Sequence, residues 1–281
     1  MSFHHKPTSY VSQVNLNVQN LERSLDFYQH VIGFKVLKQT ETTAHLSADG
    51  KTVLLSIEQP KDVVPKEART TGLYHFALLL PKRSDLASIV NHFAKVNLRL
   101  GASDHLVSEA LYLSDPDGNG IEIYVDREPS EWEWNNDEVA MVSDPLNFDD
   151  LLSEVNMEWQ GLPPNTVMGH IHLHVADLQQ AETFYIQGLG FDVVNRFGNQ
   201  ALFISDGKYH HHIGLNTWNG VGASTPPSNS VGLVSFTITL ENEEKRDETI
   251  AKLKHIGASV QEENETVITA DPSGNRIRLE I

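Results

Sequence analysis

The sequence predicts an α+β protein built from four copies of one small module, arranged as two pairs. Each copy runs strand, helix and three further strands, a βαβββ order. Residues 13–34 are restated 157 positions later, so that Gln13 corresponds to His170 and Phe27 to Phe184. The turn sequence Asp-Pro-Asp-Gly-Asn at 115–119 returns as Asp-Pro-Ser-Gly-Asn at 271–275. Internal repetition of this kind indicates a modular architecture.

The first and third modules, residues 10–60 and 168–218, each open with a strand and a helix. The opening strand alternates apolar and polar side chains, the period-two pattern of a half-buried strand. Asn20 has the residue type of a helix N-cap, and apolar residues then recur at helical spacing. Gly33 is expected to end this helix, and three more strands follow it.

The second and fourth modules, residues 72–126 and 230–281, repeat this order. Their last two strands flank the repeated Asp-Pro-x-Gly-Asn turn, in which Pro presets φ and Gly accepts positive φ. Residues 127–167 break the pattern, being acidic, turn-rich and supplied with three tryptophans. We therefore expect one domain over residues 8–127, an ordered linker over 128–167 and a second domain over 168–281.

Composition excludes several classes of protein. The formal net charge is −17, which disfavours nucleic acid or an anionic membrane as a partner, because both need basic patches. The chain has no cysteine, so a metal site must use histidine and carboxylate ligands. No run of about 18 apolar residues predicts a membrane span, and the first residues do not resemble a secretory signal. We expect a cytoplasmic enzyme or binding protein.

Two residues interrupt apolar strands and predict part of a metal site. Glu122 lies in the middle of the strand Ile-Glu-Ile-Tyr-Val, where a carboxylate is costly unless it is paired or bound to a metal. His75 interrupts another apolar strand upstream. A lone strand histidine is more often a core residue, but the two together favour a site. In the third module His170, His172 and His174 alternate and therefore share one face of a strand.

The residues around Glu122 resemble a known signature. His105 is followed by five residues, Leu111-Tyr112, the turn that begins at Asp115, and then Glu122. This pattern resembles the type I extradiol ring-cleaving dioxygenases, which include the catechol-2,3-dioxygenases. They belong to the vicinal-oxygen-chelate superfamily, together with glyoxalase I and fosfomycin-resistance proteins. Ser103 departs from the pattern, which prefers Gly, Asn or an aliphatic residue there.

The resemblance implies that the βαβββ modules pair into open-barrel domains around one divalent metal. Residue by residue, it places the metal ligands at His75, Glu122 and His170. The matching positions of the other two modules hold Gln13, Ser235 and Arg278, which do not repeat this ligand set. The ligands therefore lie in the second and third modules. We predict that these two modules pair, within one chain or between subunits, and that the first and fourth form a metal-free partner.

The resemblance also implies the roles of three further residues. A family segment with two adjacent histidines aligns with residues 209–215 and places an acid–base histidine at His211. His210 and His212 are then expected to face the other way, on a solvated edge. His105 and Tyr112 correspond to residues that contact the substrate.

The implied activity is extradiol cleavage of a small aromatic diol by O₂ at a non-haem Fe(II), with Mn(II) as the other possible metal. Two alternatives stay open. A glyoxalase-type isomerase would need a fourth ligand, a glutamate at a position that holds Ile213. A metal-free small-molecule binding protein has no reason to keep His75, Glu122 and His170 together. Edge strands of such folds often pair, so a homodimer is possible.

Overall fold

The computed structural model describes residues 3–264 and 266–281. Its first and second modules each begin with a strand, continue with a helix and end with three strands. The elements of the first module are β1 (Tyr10–Asn17), α1 (Leu21–Asp26), which continues as a π-helical turn (Phe27–Ile32), β2 (Lys35–Gln39), β3 (Thr43–Ser47) and β4 (Leu55–Glu58). Those of the second module are β5 (Gly72–Leu79), α2 (Arg83–Lys95), β6 (Gly101–Asp104), β7 (Ser108–Ser114) and β8 (Gly120–Asp126).

A connecting segment and the second pair of modules complete the chain. The connecting segment holds a 3₁₀ turn (Pro129–Glu131), β9 (Trp134–Asn135), β10 (Glu138–Val139) and α3 (Phe148–Leu152). The third module is β11 (Val167–His174), α4 (Leu178–Glu182) with its π-helical turn (Thr183–Gly188), β12 (Asp192–Phe197), β13 (Ala201–Ser205) and β14 (Ile213–Asn216). The fourth is β15 (Gly232–Thr239), α5 (Glu243–His255), β16 (Val260–Glu263), β17 (Thr266–Ala270) and β18 (Arg276–Glu280).

The modules assemble into two eight-stranded sheets. One sheet has the order β16-β17-β18-β15-β1-β4-β3-β2, and the other has the order β12-β13-β14-β11-β5-β8-β7-β6. At the centre of each sheet, two modules join through an antiparallel pair formed by their first strands. These pairs are β1 with β15 and β5 with β11. The predicted α+β class is confirmed, and so is the pairing of the second module with the third and of the first with the fourth, within one chain.

Strand alternation separates a buried core from the site. In β5 and β11, Phe76, Leu78, Ile171 and Leu173 belong to the main apolar core, which the two sheets share. Burial of such side chains stabilises the fold by about 25 cal/mol for each Å² of apolar surface removed from water. The intervening residues, among them His170, point to the opposite face of the sheet.

The first helix begins and ends as the sequence predicts. The Asn20 side chain accepts a hydrogen bond from the backbone N–H of Arg23, which satisfies one of the free donors at a helix start. Gly33 ends the π-helical turn with a φ of 96°, a conformation that glycine adopts without steric cost. This turn places the buried Tyr28 side chain in contact with the second module.

The repeated Asp-Pro-x-Gly-Asn turn is an anchor between modules. Asp115 accepts backbone hydrogen bonds from Asp117 and Asn119, and its Oδ2 accepts one from the Tyr28 hydroxyl at 2.8 Å. The second copy repeats this arrangement, with the Tyr185 hydroxyl donating to Asp271 at 3.1 Å. Each turn is therefore tied to the helix of the module that precedes it.

Within the described residues, no helix combines the length and apolar character that crossing a membrane requires. The division of the chain into a domain over residues 8–127, a linker over 128–167 and a domain over 168–281 stays a prediction.

Candidate metal centre and its cavity

Three strands bring the predicted ligands together. β5 lies between β11 and β8 and carries His75. Further along β5, Ala77 is the register partner of His170 on β11 and of Glu122 on β8. Because the Ala77 side chain is only a methyl group, the two longer side chains reach each other across the strand.

The ligand atoms of His75, Glu122 and His170 lie within 4.8 Å of one another. Oε2 of Glu122 is 3.0 Å from Nε2 of His75 and 3.1 Å from Nε2 of His170. Donor atoms at right angles around a metal, each about 2.2 Å from it, lie about 3.1 Å apart. The three residues are 6%, 3% and 1% exposed respectively, so a bound metal would be held largely away from water.

The charge states of these groups fit a divalent metal. Burial opposes ionisation of Glu122, but His170 and His75 beside the carboxylate hold its pKa well below the usual value. Burial lowers the pKa of His170 despite the neighbouring carboxylate. The carboxylate is therefore ionised and this imidazole neutral at neutral pH, the forms that bind metals. Nε2 of His75 is buried with no well-formed hydrogen bond in the described chain, as expected of an atom reserved for a metal.

His211 stands beside this cluster. Its ring centroid is 4.1 Å from that of His170, and its side chain lines the cavity above the cluster. Burial, together with the neighbouring His170 and His210, holds the pKa of His211 well below the usual value for histidine. It is therefore a neutral imidazole at neutral pH, able to accept a proton.

His105 and Tyr112 form a hydrogen-bonded pair on the other side of the cavity. Nδ1 of His105 donates to the carbonyl oxygen of Val142, so its Nε2 is free to accept. The Tyr112 hydroxyl donates to that Nε2 at 2.6 Å. Burial and the negative charge of Glu122, directly opposite on β8, raise the pKa of Tyr112 well above its usual value. Tyr112 therefore keeps its proton.

The cavity has a volume of about 250 Å³. Its polar lining includes His75, His105, Tyr112, Glu122 and His211. The remainder is mostly apolar and comes from several elements, namely Val107, Met141, Val142, Phe197, Phe203 and Trp218, with Tyr74. His170 lies behind this surface, in contact with Glu122 and His211.

Sequence reasoning missed several residues of the site. His172, which the sequence pattern only placed on the same strand face as His170, is 3% exposed and lines the cavity. Residues 141–143 also line it, although their segment was predicted to be a linker. Apart from the alternation of histidines on β11, no sequence pattern predicted that these residues line the cavity.

The expectation that His210 and His212 lie on a solvated edge is wrong. Both are fully buried, because other segments cover that side of the sheet. His212 donates to the carbonyl oxygen of Phe3 at 3.1 Å, and the ring of Trp132 packs against His210 with centroids 5.2 Å apart. Neither covering contact is visible as a local sequence pattern.

Comparison with known proteins identifies relatives of this chain. The model of the Glyoxalase/Bleomycin resistance protein/Dioxygenase superfamily matches residues 10–123 and 167–279. A catechol-2,3-dioxygenase of Bacillus subtilis (strain 168) is 46% identical over 268 residues, which cover 94% of each chain. The metallothiol transferase FosB of Lysinibacillus sphaericus is 23% identical over 117 residues, or 41% of this chain and 80% of that one. The structure of glyoxalase I from Zea mays has a TM-score of 0.58 at 15% identity and covers 96% of this chain and 92% of that one, a likeness in fold.

Proposed function

Because the chain belongs to the Glyoxalase/Bleomycin resistance protein/Dioxygenase superfamily, we propose that it is an extradiol ring-cleaving dioxygenase, which opens a catechol-type ring with O₂. The observation that carries the proposal is the buried cluster of His75, Glu122 and His170 beside a cavity lined by His211. Two histidines and one carboxylate with open positions are the ligand set of non-haem Fe(II) oxygenases. The 46% identity with a catechol-2,3-dioxygenase supports the same activity.

His75, Glu122 and His170 would hold the metal, Fe(II) in this proposal and Mn(II) as the other candidate. When bound, the metal supplies Lewis acidity toward the diol oxygens and the electron transfer that O₂ requires. With two neutral imidazoles and one carboxylate, the site keeps one net positive charge, which favours an anionic diol.

The protein's own groups manage the protons. His211 is neutral and faces the cavity, so it can take the proton that a catechol hydroxyl loses and return it later. Tyr112 stays protonated, because burial and Glu122 raise its pKa, and it can donate a hydrogen bond. Its hydroxyl is oriented by His105, which is fixed in turn by the carbonyl of Val142.

Two other functions fit the site less well. A glyoxalase-type isomerase would place a fourth carboxylate where Ile213 stands, and Ile213 is fully buried among apolar residues. A metal-free binding protein would have no functional reason to keep Glu122 buried at 3% exposure. Burying a charge is costly unless it is paired or bound to a metal.

The cavity lining favours diols whose substituents carry no charge. In the part of the chain that the structure describes, no lysine or arginine lines this cavity. A ring carboxylate in this cavity would have no lysine or arginine partner among the described lining residues, and a buried unpaired charge is strongly unfavourable. A methyl or larger apolar substituent would instead remove apolar surface from water.

The test compares two diols of similar size on the Fe(II)-loaded protein by O₂ uptake. We expect kcat/KM for 4-methylcatechol to exceed that for 3,4-dihydroxybenzoate by about 100-fold, which equals about 2.7 kcal/mol. A preference for the carboxylated diol would contradict the assigned substituent class and leave ring cleavage standing. O₂ uptake with neither diol, nor with catechol itself, would contradict the dioxygenase.

A cytoplasmic location and a homodimer stay predictions of this proposal.

A further inference from the structure

A chain of hydrogen bonds runs from the cavity to the end of β8. Nδ1 of His211 lies 2.8 Å from Nδ1 of His210. Nε2 of His210 lies 2.8 Å from Oδ1 of Asp126. Asp126 follows Glu122 by four positions on β8, so both carboxylates extend from the same face of one strand. One strand therefore carries a ligand of the candidate metal site and the far end of this chain.

The chain is enclosed along most of its length. His210 is fully buried and His211 is 9% exposed, whereas the Asp126 side chain keeps 20% exposure. The same Oδ1 of Asp126 accepts a second hydrogen bond, from the Tyr209 hydroxyl at 3.2 Å. Tyr209 also bonds the hydroxyl of Tyr124 at 2.7 Å. The enclosing side chains hold the imidazole of His210 in one orientation.

The close packing of this region depends on a glycine beside a candidate ligand. A Cβ atom at Gly169 would lie 2.0 Å from the Tyr124 hydroxyl oxygen. Only glycine therefore allows β11 to pass the two bonded tyrosines immediately before His170. A side chain at position 169 would displace Tyr124 and disturb the tyrosines that enclose Asp126.

Donor and acceptor counting places the protons for a carboxylate at Asp126 paired with a neutral imidazole at His210. An ionised carboxylate only accepts hydrogen bonds, so Nε2 of His210 carries the proton in its bond to Asp126. A neutral imidazole has one proton, which leaves Nδ1 of His210 as an acceptor. The proton between the two imidazoles must then belong to Nδ1 of His211. Its Nε2 is left with a free lone pair.

We propose that Asp126 is a positioning residue that acts through His210 to hold the His211 imidazole in its Nδ1–H tautomer, with the lone pair of Nε2 turned to the cavity. This inference rests on the proposed function, because that lone pair is what accepts a proton from a diol hydroxyl. The O–H bond breaks, an N–H bond forms at Nε2, and the diol keeps the electron pair as a phenolate. The tautomer itself can be observed without turnover.

The direct test is the nitrogen chemical shifts of the histidine rings in the full chain labelled with ¹⁵N-histidine, metal-free and with Zn(II). The wild type is expected to show His211 as the Nδ1–H tautomer. Asp126→Ala removes the acceptor for His210, so the His211 population should move toward the Nε2–H form. Asp126→Glu keeps a carboxylate and should restore the wild-type form at least in part. Tyr209→Phe removes the second donor to Asp126 and the hydroxyl that bonds Tyr124. It keeps the bond between His210 and Asp126 and should leave the tautomer unchanged.

Kinetics give the second measurement. With the Fe(II)-loaded protein, Asp126→Ala should lower kcat by about 10- to 100-fold, as expected for loss of a supporting residue behind a catalytic group, with KM nearly unchanged. A wild-type His211 found as the Nε2–H tautomer, or a tautomer insensitive to Asp126→Ala, would overturn the proposal. An inactive wild type with the predicted tautomer shift would instead contradict the dioxygenase and leave this arrangement intact.

Discussion

At the scale of single residues, the candidate site forms because two long side chains contact each other across a short one. His170 and Glu122 come from different strands and face each other across Ala77, their common register partner. His211 completes the group from the residues that precede β14. The proposed ligand and proton-transfer roles fall on two neighbouring histidines, and mutation can separate them.

His170→Ala should abolish stoichiometric binding of Fe(II), because it removes one of the three proposed ligands from the buried cluster. His211→Ala should keep the metal and lower kcat by about 10²- to 10⁴-fold, the range expected for loss of an acid–base group. Metal analysis of the two purified variants, followed by O₂ uptake with catechol, separates the roles. His174→Ala is the matched control, since His174 shares the strand face but bonds to Asn216 instead.

Normal turnover by His211→Ala would contradict its acid–base role. Full iron content in His170→Ala would contradict the ligand assignment.

Residue types predicted part of this site and could not predict the remainder. A carboxylate inside an apolar strand is visible in sequence, and so is the histidine of β5. Asp126 and His210 gave no such signal, since Asp126 ends a strand where charged residues are common. Their connection exists only after the third module folds against the second.

At the scale of elements, each Asp-Pro-x-Gly-Asn turn depends on a tyrosine from another module. Tyr28 and Tyr185 lie on π-helical turns and are fully buried with their hydroxyls on Asp115 and Asp271. The turn sequence was predictable from its Pro and Gly, but the tyrosine contact was not, because it joins residues 87 and 86 positions apart in sequence.

Tyr28→Phe and Tyr185→Phe should each lower the free energy of unfolding by about 1–3 kcal/mol, because each leaves a buried carboxylate without one of its donors. Urea unfolding followed by circular dichroism measures this, with the partly exposed Tyr10→Phe as a control. Unchanged stability in both variants would show that the hydroxyls do not anchor the turns.

The connecting segment covers part of the cavity, which its composition did not predict. Its acidic, turn-rich composition predicted a linker, and it does contain only short elements. Yet Trp132 is 6% exposed and packs with Tyr209, and Val142 accepts the hydrogen bond that orients His105. Irregular backbone carries no periodicity, so its place over the cavity could not be predicted.

At the scale of the whole molecule, two related sheets have diverged in chemistry. The sheet of the first and fourth modules has Gln13 where its counterpart has His170, and Gln13 donates to Asn15 at 2.7 Å and to Ser56 at 3.1 Å. Neutral amides and hydroxyls satisfy one another there. The unequal distribution of the expected ligands along the chain predicted which modules pair, and the sheet order confirms that pairing.

The most direct measurement of the central claim is product analysis after loading with Fe(II) under anaerobic conditions, addition of catechol and admission of ¹⁸O₂. The proposed site predicts one O₂ consumed for each catechol and a yellow muconic semialdehyde that contains both labelled oxygen atoms. Its ring should be open beside the diol. Bound iron with cleavage between the two hydroxyl-bearing carbons, or with neither colour nor O₂ uptake for any catechol, would contradict the proposal.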